Sequence, residues 1–231
     1  VSTFEDYSNQ KYRGAVEGYY GYPWSVDGTL SWMDYAKRYK MNIFLYGPKS
    51  DPYHLGKWKE EYPVELTEEE KAHGVLSQDD IRTITDKAAE CNVDFVWVAH
   101  PAMQNGINFG SHATIDQGVQ DLMTKFDHMY DLGVREFGVF LDDIPYGSAN
   151  GSSHAYLIDQ VQKKLYETYN TEGVAPEDQI KPLFFTPTYY TVYGASSGYL
   201  SAFRDIHEDV VICFSGNDVF SDISNADAAK Y

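Results

Sequence analysis

The fold of this chain is decided by the stretch EFGVFLDDI, residues 136–144. Residues 136–141 form a short, mostly apolar run, which is typical of a strand buried on both faces of a parallel sheet. Two acids, Asp142 and Asp143, follow the run directly. Because burying a charge without a partner is costly, acids at this position indicate a strand that ends at a polar cavity.

Five further runs of this kind lie on either side of the stretch, and helical patterns separate them. They are predicted to be strands at residues 14–17, 42–46, 94–99, 182–186 and 210–214. This alternation predicts right-handed βα units and a parallel sheet, which is an α/β fold. The residues leave a doubly wound sheet and a (β/α)8 barrel open. No GxGxxG or GxxxxGK[ST] motif follows a run, which argues against nucleotide binding.

The helices between the runs have recognisable starts. Ser77 with Asp80, and Thr114 with Gln117, are predicted to be capping boxes. Ser153 is predicted to start the helix that follows the acidic pair.

Composition and charge exclude several functions. The chain has 231 residues, 43% of them hydrophobic, with 18 Lys and Arg against 35 Asp and Glu, for a net charge of −17. The apolar content is too high for a disordered chain. No window approaches the roughly 18 consecutive apolar residues of a membrane helix, so we expect no membrane insertion. A polyanion repels the phosphate backbone, so we expect no nucleic-acid partner.

The cysteines give little information. Cys91 and Cys213 lie far apart, each in an apolar segment, and are predicted to be buried thiols. No Cys and His spacing typical of a metal site is present, and we expect neither a metal nor another cofactor.

Candidate chemistry collects after the predicted strands, where α/β folds place their sites. These strand ends are rich in aromatic, acidic and hydroxyl side chains, at residues 17–24, 46–54, 99–101, 140–144, 186–190 and 214–218. The mixture suits a sugar, because aromatic faces stack on pyranose C–H surfaces while carboxylates and hydroxyls bind ring hydroxyl groups.

Asp142 and Asp143 are the sharpest candidates. Neighbouring negative charges raise the pKa of one acid, so that it can hold a proton while the other stays ionised. A glycosidase needs this division of roles. A helix cap, a surface turn and a divalent-cation ligand pair are alternative interpretations.

Other residues at the strand ends each have a structural alternative. Lys49 could donate to a substrate hydroxyl or be a surface lysine, and His100 could orient a catalytic group or be a packed histidine. His54 and Tyr190 could face the site or pack in the core. Gly18 permits either a simple turn or a close backbone approach to a ligand.

These residues together resemble a known family. The segments RGAVEGYYGYPW (13–24), YGPK (46–49) with DPYH (51–54), and FLDDI (140–144) occur in the order seen in glycoside hydrolase family 84. That family includes bacterial β-N-acetylglucosaminidases, some labelled hyaluronidases, and the O-GlcNAcases. The resemblance runs from about Lys11 to the end of the chain and implies a (β/α)8 TIM barrel.

The resemblance also implies a reaction. It is the removal of terminal β-linked N-acetylglucosamine with retention, by substrate-assisted catalysis through an oxazoline intermediate. Asp142 would orient the acetamido group, and Asp143 would be the general acid and then the general base. The positions that match substrate-binding residues are Gly18, Lys49, Tyr190 and Ser215.

The chain departs from the family pattern in places. Tyr189 stands where the family often has Glu, and a Trp-Thr-Gly segment of the family reads Phe214, Ser215 and Gly216 here. A later segment with further sugar ligands does not follow Tyr231. These departures keep open a non-catalytic carbohydrate-binding domain on the same scaffold.

The domain organisation follows from the strand count. Residues 1–11 are predicted to be an N-terminal lead-in or linker, and residues 12–231 a catalytic barrel truncated at its C-terminal end. About six βα units are visible, and a barrel needs eight strands. We expect further modules to flank the barrel, and GlcNAc-bearing glycans or glycoproteins as partners. The acidic charge and polar start favour a secreted or cell-surface protein, and the resemblance to bacterial members of the family implies a bacterial one.

Overall fold

A computed structural model describes residues 8–145, 150–222 and 224–229. Six parallel strands form one curled sheet in chain order, which is an incomplete barrel of the α/β class, as predicted. The strands are β1 Gly14–Glu17, β2 Ile43–Tyr46, β3 Asp94–Ala99, β4 Glu136–Phe140, β5 Phe184–Thr186 and β6 Val211–Ile212. The helices are α1 Val26–Arg38, α2 Glu68–Ala72, α3 Gln78–Cys91, α4 His112–Asp131, α5 Gly151–Tyr169, α6 Val192–Ser196, a 3₁₀ helix Tyr199–Phe203 and α7 Asn225–Ala228.

The register of the strands places their carboxyl ends at one edge of the sheet. Glu17 in β1 lies beside Tyr46 in β2, and Tyr46 lies beside Trp97 in β3. In the next pair, Ala99 lies beside Val139 of β4. The loops that follow these strands therefore open on the same side of the molecule, which is where the candidate site lies.

Each face of the sheet packs in a separate apolar cluster. The side that faces the helices includes Phe44, Trp97 and Phe137, and it forms the large core. The opposite, concave side forms a smaller cluster of Ile43, Leu45, Val96, Val98, Phe140 and Phe184. Burial on both faces explains why the strands read as continuous apolar runs rather than as alternating patterns.

All six predicted strands are confirmed in position, although four of them, β2, β4, β5 and β6, are shorter than the predicted runs. The predicted box at Ser77 is also confirmed, because its hydroxyl accepts from Asp80 N and the Asp80 carboxylate accepts from Ser77 N. The short helix α6 was not predicted, since five residues are too few to show a helical period.

Two predicted helix starts are wrong by about one turn. Helix α4 is capped by Ser111, whose side chain accepts from Thr114 N, and the predicted box of Thr114 with Gln117 does not form the cap. Helix α5 is capped by Asn150, and Ser153 is the third residue of that helix rather than its start. In both cases the earlier residue is itself a good cap, so the helix extends back to it.

Two smaller findings concern the cysteines and the membrane. Cys91 is buried and Cys213 is half-buried, and both thiols are free. Among the helices that the structure describes, none combines the length and the apolar character that crossing a bilayer demands.

Candidate active site

Asp142 and Asp143 occupy a turn directly after β4. The main chain of Leu141 still donates to Thr186 O, at 2.9 Å, and the turn follows at once. The turn is therefore confirmed as local structure, although of its two acids only Asp143 is exposed. It does not exclude a site, because the side chains of other strand ends converge on this turn.

Lys49 pairs with Asp142. Its Nζ atom lies 3.0 Å from Oδ1 and 2.9 Å from Oδ2 of Asp142. The Lys49 side chain is fully buried, and its Nζ lies 5.5 Å from the centre of the Phe140 ring. The interpretation of Lys49 as a surface lysine is therefore wrong.

His100 contacts the same acid from the end of β3. Its Nε2 atom lies 2.7 Å from the main-chain oxygen of Asp142 and 3.4 Å from Oδ1. Both oxygens accept hydrogen bonds, so Nε2 carries a proton. His54 lies behind His100, and its Nδ1 donates to Val98 O at 2.7 Å.

These contacts determine the charge state of Asp142. Burial by itself raises the pKa of Asp142, but the contact with His100 and the positive charge of Lys49 outweigh burial and lower the pKa to about 2. The carboxyl group of Asp142 is therefore ionised throughout the neutral range.

Asp143 has a different environment from its neighbour. It is exposed, and its backbone has a φ of 56°, which is left-handed. The hydroxyl of Tyr20 donates to Asp143 Oδ2 at 3.0 Å. Tyr20 is a site residue that the sequence did not single out, because the segment after β1 also contains Tyr19 and Tyr22.

The remaining predicted residues border the same turn. Tyr190 and Asp143 both line a cavity of about 250 Å³. Ser215 lies beside Tyr190, because Ser215 N donates to Tyr190 O at 2.9 Å. A Cβ atom on Gly18 would lie 3.6 Å from the Phe140 ring, which is ordinary contact, so packing does not require glycine there.

The divalent-cation interpretation of the acidic pair finds no third ligand. In residues 8–145, 150–222 and 224–229, one group of three potential ligand atoms lies close enough to share a metal ion, and it consists of Asp34, Glu90 and Cys91. That group lies on α1 and α3, and neither Asp142 nor Asp143 belongs to it.

Comparisons with known proteins agree with this geometry. The family model for β-N-acetylglucosaminidase matches residues 13–231. The Protein O-GlcNAcase of Rattus norvegicus and that of Mus musculus are each 26% identical over 159 residues, which is 67% of this chain and 16% of the relative. The chain therefore spans about a sixth of the length of these curated relatives.

Solved structures share the fold over almost the whole chain. CpGH84D matches with a TM-score of 0.80 at 27% identity, covering 98% of this chain and 35% of its own. CpGH84B matches with a TM-score of 0.78 at 32% identity, covering 95% of this chain and 36% of its own. A mutant O-GlcNAc hydrolase of Thermobaculum terrenum, at 22% identity and a TM-score of 0.75, covers 95% of this chain and 44% of its own and supports the fold alone.

The family model matches residues 13–231 and thus agrees with the ordered strand-end motifs, the incomplete barrel and the two adjacent acids. The chain belongs to the β-N-acetylglucosaminidase family and is a glycoside hydrolase family 84 catalytic domain.

Proposed function

We propose that this chain removes terminal β-linked N-acetylglucosamine from glycans or glycoproteins, with the acetamido group of the substrate as the nucleophile. The observation that carries the proposal is that two adjacent acids have unlike environments. Asp142 is mostly buried and held ionised by Lys49 and His100. Asp143 is exposed at the mouth, beside Tyr20. Unlike environments assign unlike roles to paired carboxyl groups.

In the first step, the ionised Asp142 accepts a hydrogen bond from the acetamido N–H. The acetamido carbonyl oxygen then bonds to the anomeric carbon as the glycosidic C–O bond breaks. Asp143 gives its proton to the leaving oxygen, and the negative charge of Asp142 stabilises the positive charge that develops on the oxazoline ring. No enzyme nucleophile is required, which is a known exception to the two-carboxylate scheme.

In the second step, Asp143 takes a proton from a water molecule that attacks the anomeric carbon. The C–O bond of the oxazoline breaks, the acetamido group is restored, and the sugar leaves with its anomeric configuration retained. The same residue acts first as acid and then as base, as general acid–base catalysis allows.

Lys49 has a double part in this proposal. Its charge keeps Asp142 ionised, and the resemblance makes it a ligand of sugar hydroxyl groups. The ammonium group has three N–H donors and the two oxygens of Asp142 take at most two of them, so one N–H is left for a sugar hydroxyl.

The test is the release of nitrophenol from its β-N-acetylglucosaminide. The assay uses the full-length protein, because this chain spans 35% and 36% of the two CpGH84 chains. We expect turnover in the wild type and large losses in Asp142→Ala and Asp143→Ala. Asp86→Ala, an exposed acid on α3, is the control. No turnover in the wild type would overturn the proposal.

Ser215 favours a second candidate, a non-catalytic carbohydrate-binding domain. Its hydroxyl donates to Asp218 O at 2.8 Å, so its one O–H donor is bound to the main chain instead of a sugar ligand. Calorimetric binding of N-acetylglucosamine without hydrolysis would support this candidate, and measurable turnover would exclude it.

The natural substrate and location are also proposals. Comparing a protein-linked GlcNAc, a mucin-type glycan and hyaluronan as substrates would identify the substrate class. A secreted or cell-surface location stays a prediction from charge, a bacterial source stays a prediction from the resemblance, and fractionation of the source cells tests the location.

A further inference from the structure

His100 holds both the main chain and the side chain of Asp142. One Nε2–H faces the carbonyl oxygen of Asp142 at 2.7 Å and the carboxylate Oδ1 at 3.4 Å. The imidazole is completely buried, so water does not compete for this contact. The proton on Nε2 thus contacts both the backbone of the turn and the carboxylate of Asp142, and so orients the carboxylate relative to that backbone.

His54 packs against the His100 ring and also contacts its main chain. The main-chain N–H of His100 donates to His54 O at 2.9 Å. The two rings meet edge to face, with centres 5.8 Å apart, and the His54 ring is anchored by its bond to Val98 O. An anchored neighbouring ring therefore supports His100 on the side facing His54.

The turn that His100 contacts is one that needs support. Asp143 has a left-handed backbone, which is unfavourable for a residue with a Cβ atom. The two carbonyl groups that precede it are both held by side chains, Leu141 O by Thr188 Oγ1 at 2.6 Å and Asp142 O by His100. An unfavourable conformation persists where the surroundings determine it in this way.

We propose that His100 is a positioning residue of the reaction, which aims the carboxylate of Asp142 at the acetamido group and favours its ionised form. This inference rests on the proposed function. Besides His100, titratable groups from several elements interact with Asp142, namely Lys49 and His54 after β2, Asp143 in the same turn, Tyr190 after β5 and Tyr20 after β1. His100 differs from these groups because it touches the main chain of Asp142 as well as its side chain.

The experiment measures the ionisation of Asp142 directly, by carbon-13 NMR of protein labelled at aspartate carboxyl groups, with Asp142→Asn to assign the signal. In His100→Leu the donor is lost, and we expect the pKa of Asp142 to rise by about one unit. In His100→Gln an amide N–H takes the place of Nε2–H, and we expect most of the shift to be reversed. If His100→Leu does not fold, His100→Asn replaces it, because its shorter amide falls short of Asp142.

His154 provides the matched control. It is also completely buried, and its Nδ1 contacts Tyr199 Oη at 2.7 Å rather than either of the two acids. We expect His154→Leu to lower stability without moving the pKa of Asp142. An unchanged Asp142 pKa in His100→Leu, or an equal shift in His154→Leu, would overturn the proposal.

A kinetic arm separates this inference from the proposed function. In His100→Leu we expect kcat to fall about tenfold with little change in KM, and the acidic limb of the pH profile to move up with the pKa of Asp142. If the wild type has no turnover, the proposed function fails, and the NMR arm still decides whether His100 governs Asp142.

Discussion

The ammonium group of Lys49 contacts both carboxylate oxygens of Asp142, although the two residues lie 93 positions apart in the chain. They follow β2 and β4, with β3 between these strands in the sheet. His100 reaches the same acid from the end of β3. Three neighbouring strands therefore contribute to one ionised carboxylate, and Asp143 beside it stays at the solvent-exposed mouth.

Replacing Lys49 with Met tests this pairing. Removal of one partner leaves a mostly buried charge uncompensated, so we expect a loss of about 3–5 kcal/mol in the free energy of unfolding. Urea unfolding at neutral pH measures it. Lys59→Met is the control, because Lys59 pairs with Asp121 at 2.8 Å on the surface, and we expect it to lose less than about 1 kcal/mol. Equal losses in the two variants would contradict the pairing.

Glu136 predicts a pH dependence of stability that is independent of the site. Burial, with a smaller contribution from the charge of Asp94, raises the pKa of Glu136 from 4.5 to about 7, although Lys181 lies 3.0 Å away. Between these two values the unfolded chain has lost its proton while the folded chain still holds it. The free energy of unfolding should therefore fall as the pH rises from about 4.5 to about 7.

Glu136→Gln removes this titration and keeps the shape of the side chain. We expect the variant to lose most of that slope in urea unfolding between pH 4.5 and 7.5. Its turnover should match the wild type at a given pH, since Glu136 begins β4 and the acids follow its other end. An unchanged slope would show that another group causes the pH dependence.

Thr188 predicts an effect of a single hydroxyl group on the turn. Its Oγ1 donates to Leu141 O at 2.6 Å, one residue before Asp142. Thr188→Val has the same shape without the donor, and we expect a loss of about 1 kcal/mol in stability and about tenfold in kcat. Thr188→Ser keeps the hydroxyl and should retain most of both. An equal loss of activity in Val and Ser would contradict this role of the hydroxyl, because Ser keeps the donor that Val lacks.

Tyr20 predicts an effect on the proton donor. Its hydroxyl contacts Asp143 Oδ2, so Tyr20→Phe removes one hydrogen bond from the acid at the mouth. We expect kcat to fall severalfold, which corresponds to a rise of about 1 kcal/mol in the activation free energy, and to fall further for poor leaving groups. Tyr22→Phe is the control, since Tyr22 follows two residues later and is 77% exposed. Steady-state rates on aryl glycosides check it, and equal rates for the two variants would contradict the role of Tyr20.

The sequence was sufficient for the strands because each is buried on both faces and reads as an apolar run. It was insufficient for two helix starts, since Ser111 and Thr114, and likewise Asn150 and Ser153, both offer capping side chains one turn apart. Tertiary packing chooses between them, and no local pattern records that choice.

The site was predictable in part for a similar reason. Asp142 and Asp143 stand out locally, because acids directly after a buried strand are costly unless they face a polar cavity. The contacts of Asp142 with Lys49 and His100 depend on strand order, and the contact of Tyr20 with Asp143 spans 123 positions. Residues that act through such distant contacts are recognised only when the strands are placed side by side.

The division of roles between Asp142 and Asp143 is the central claim, and one kinetic comparison tests it most directly. It measures kcat/KM of Asp142→Ala and Asp143→Ala across aryl β-N-acetylglucosaminides whose leaving groups differ in pKa. An acid catalyst matters most for poor leaving groups. Asp143→Ala should therefore lose far more activity on poor than on good leaving groups, while Asp142→Ala should lose activity on all of them to a similar extent. The same dependence in both variants, or a stronger one in Asp142→Ala, would contradict the account.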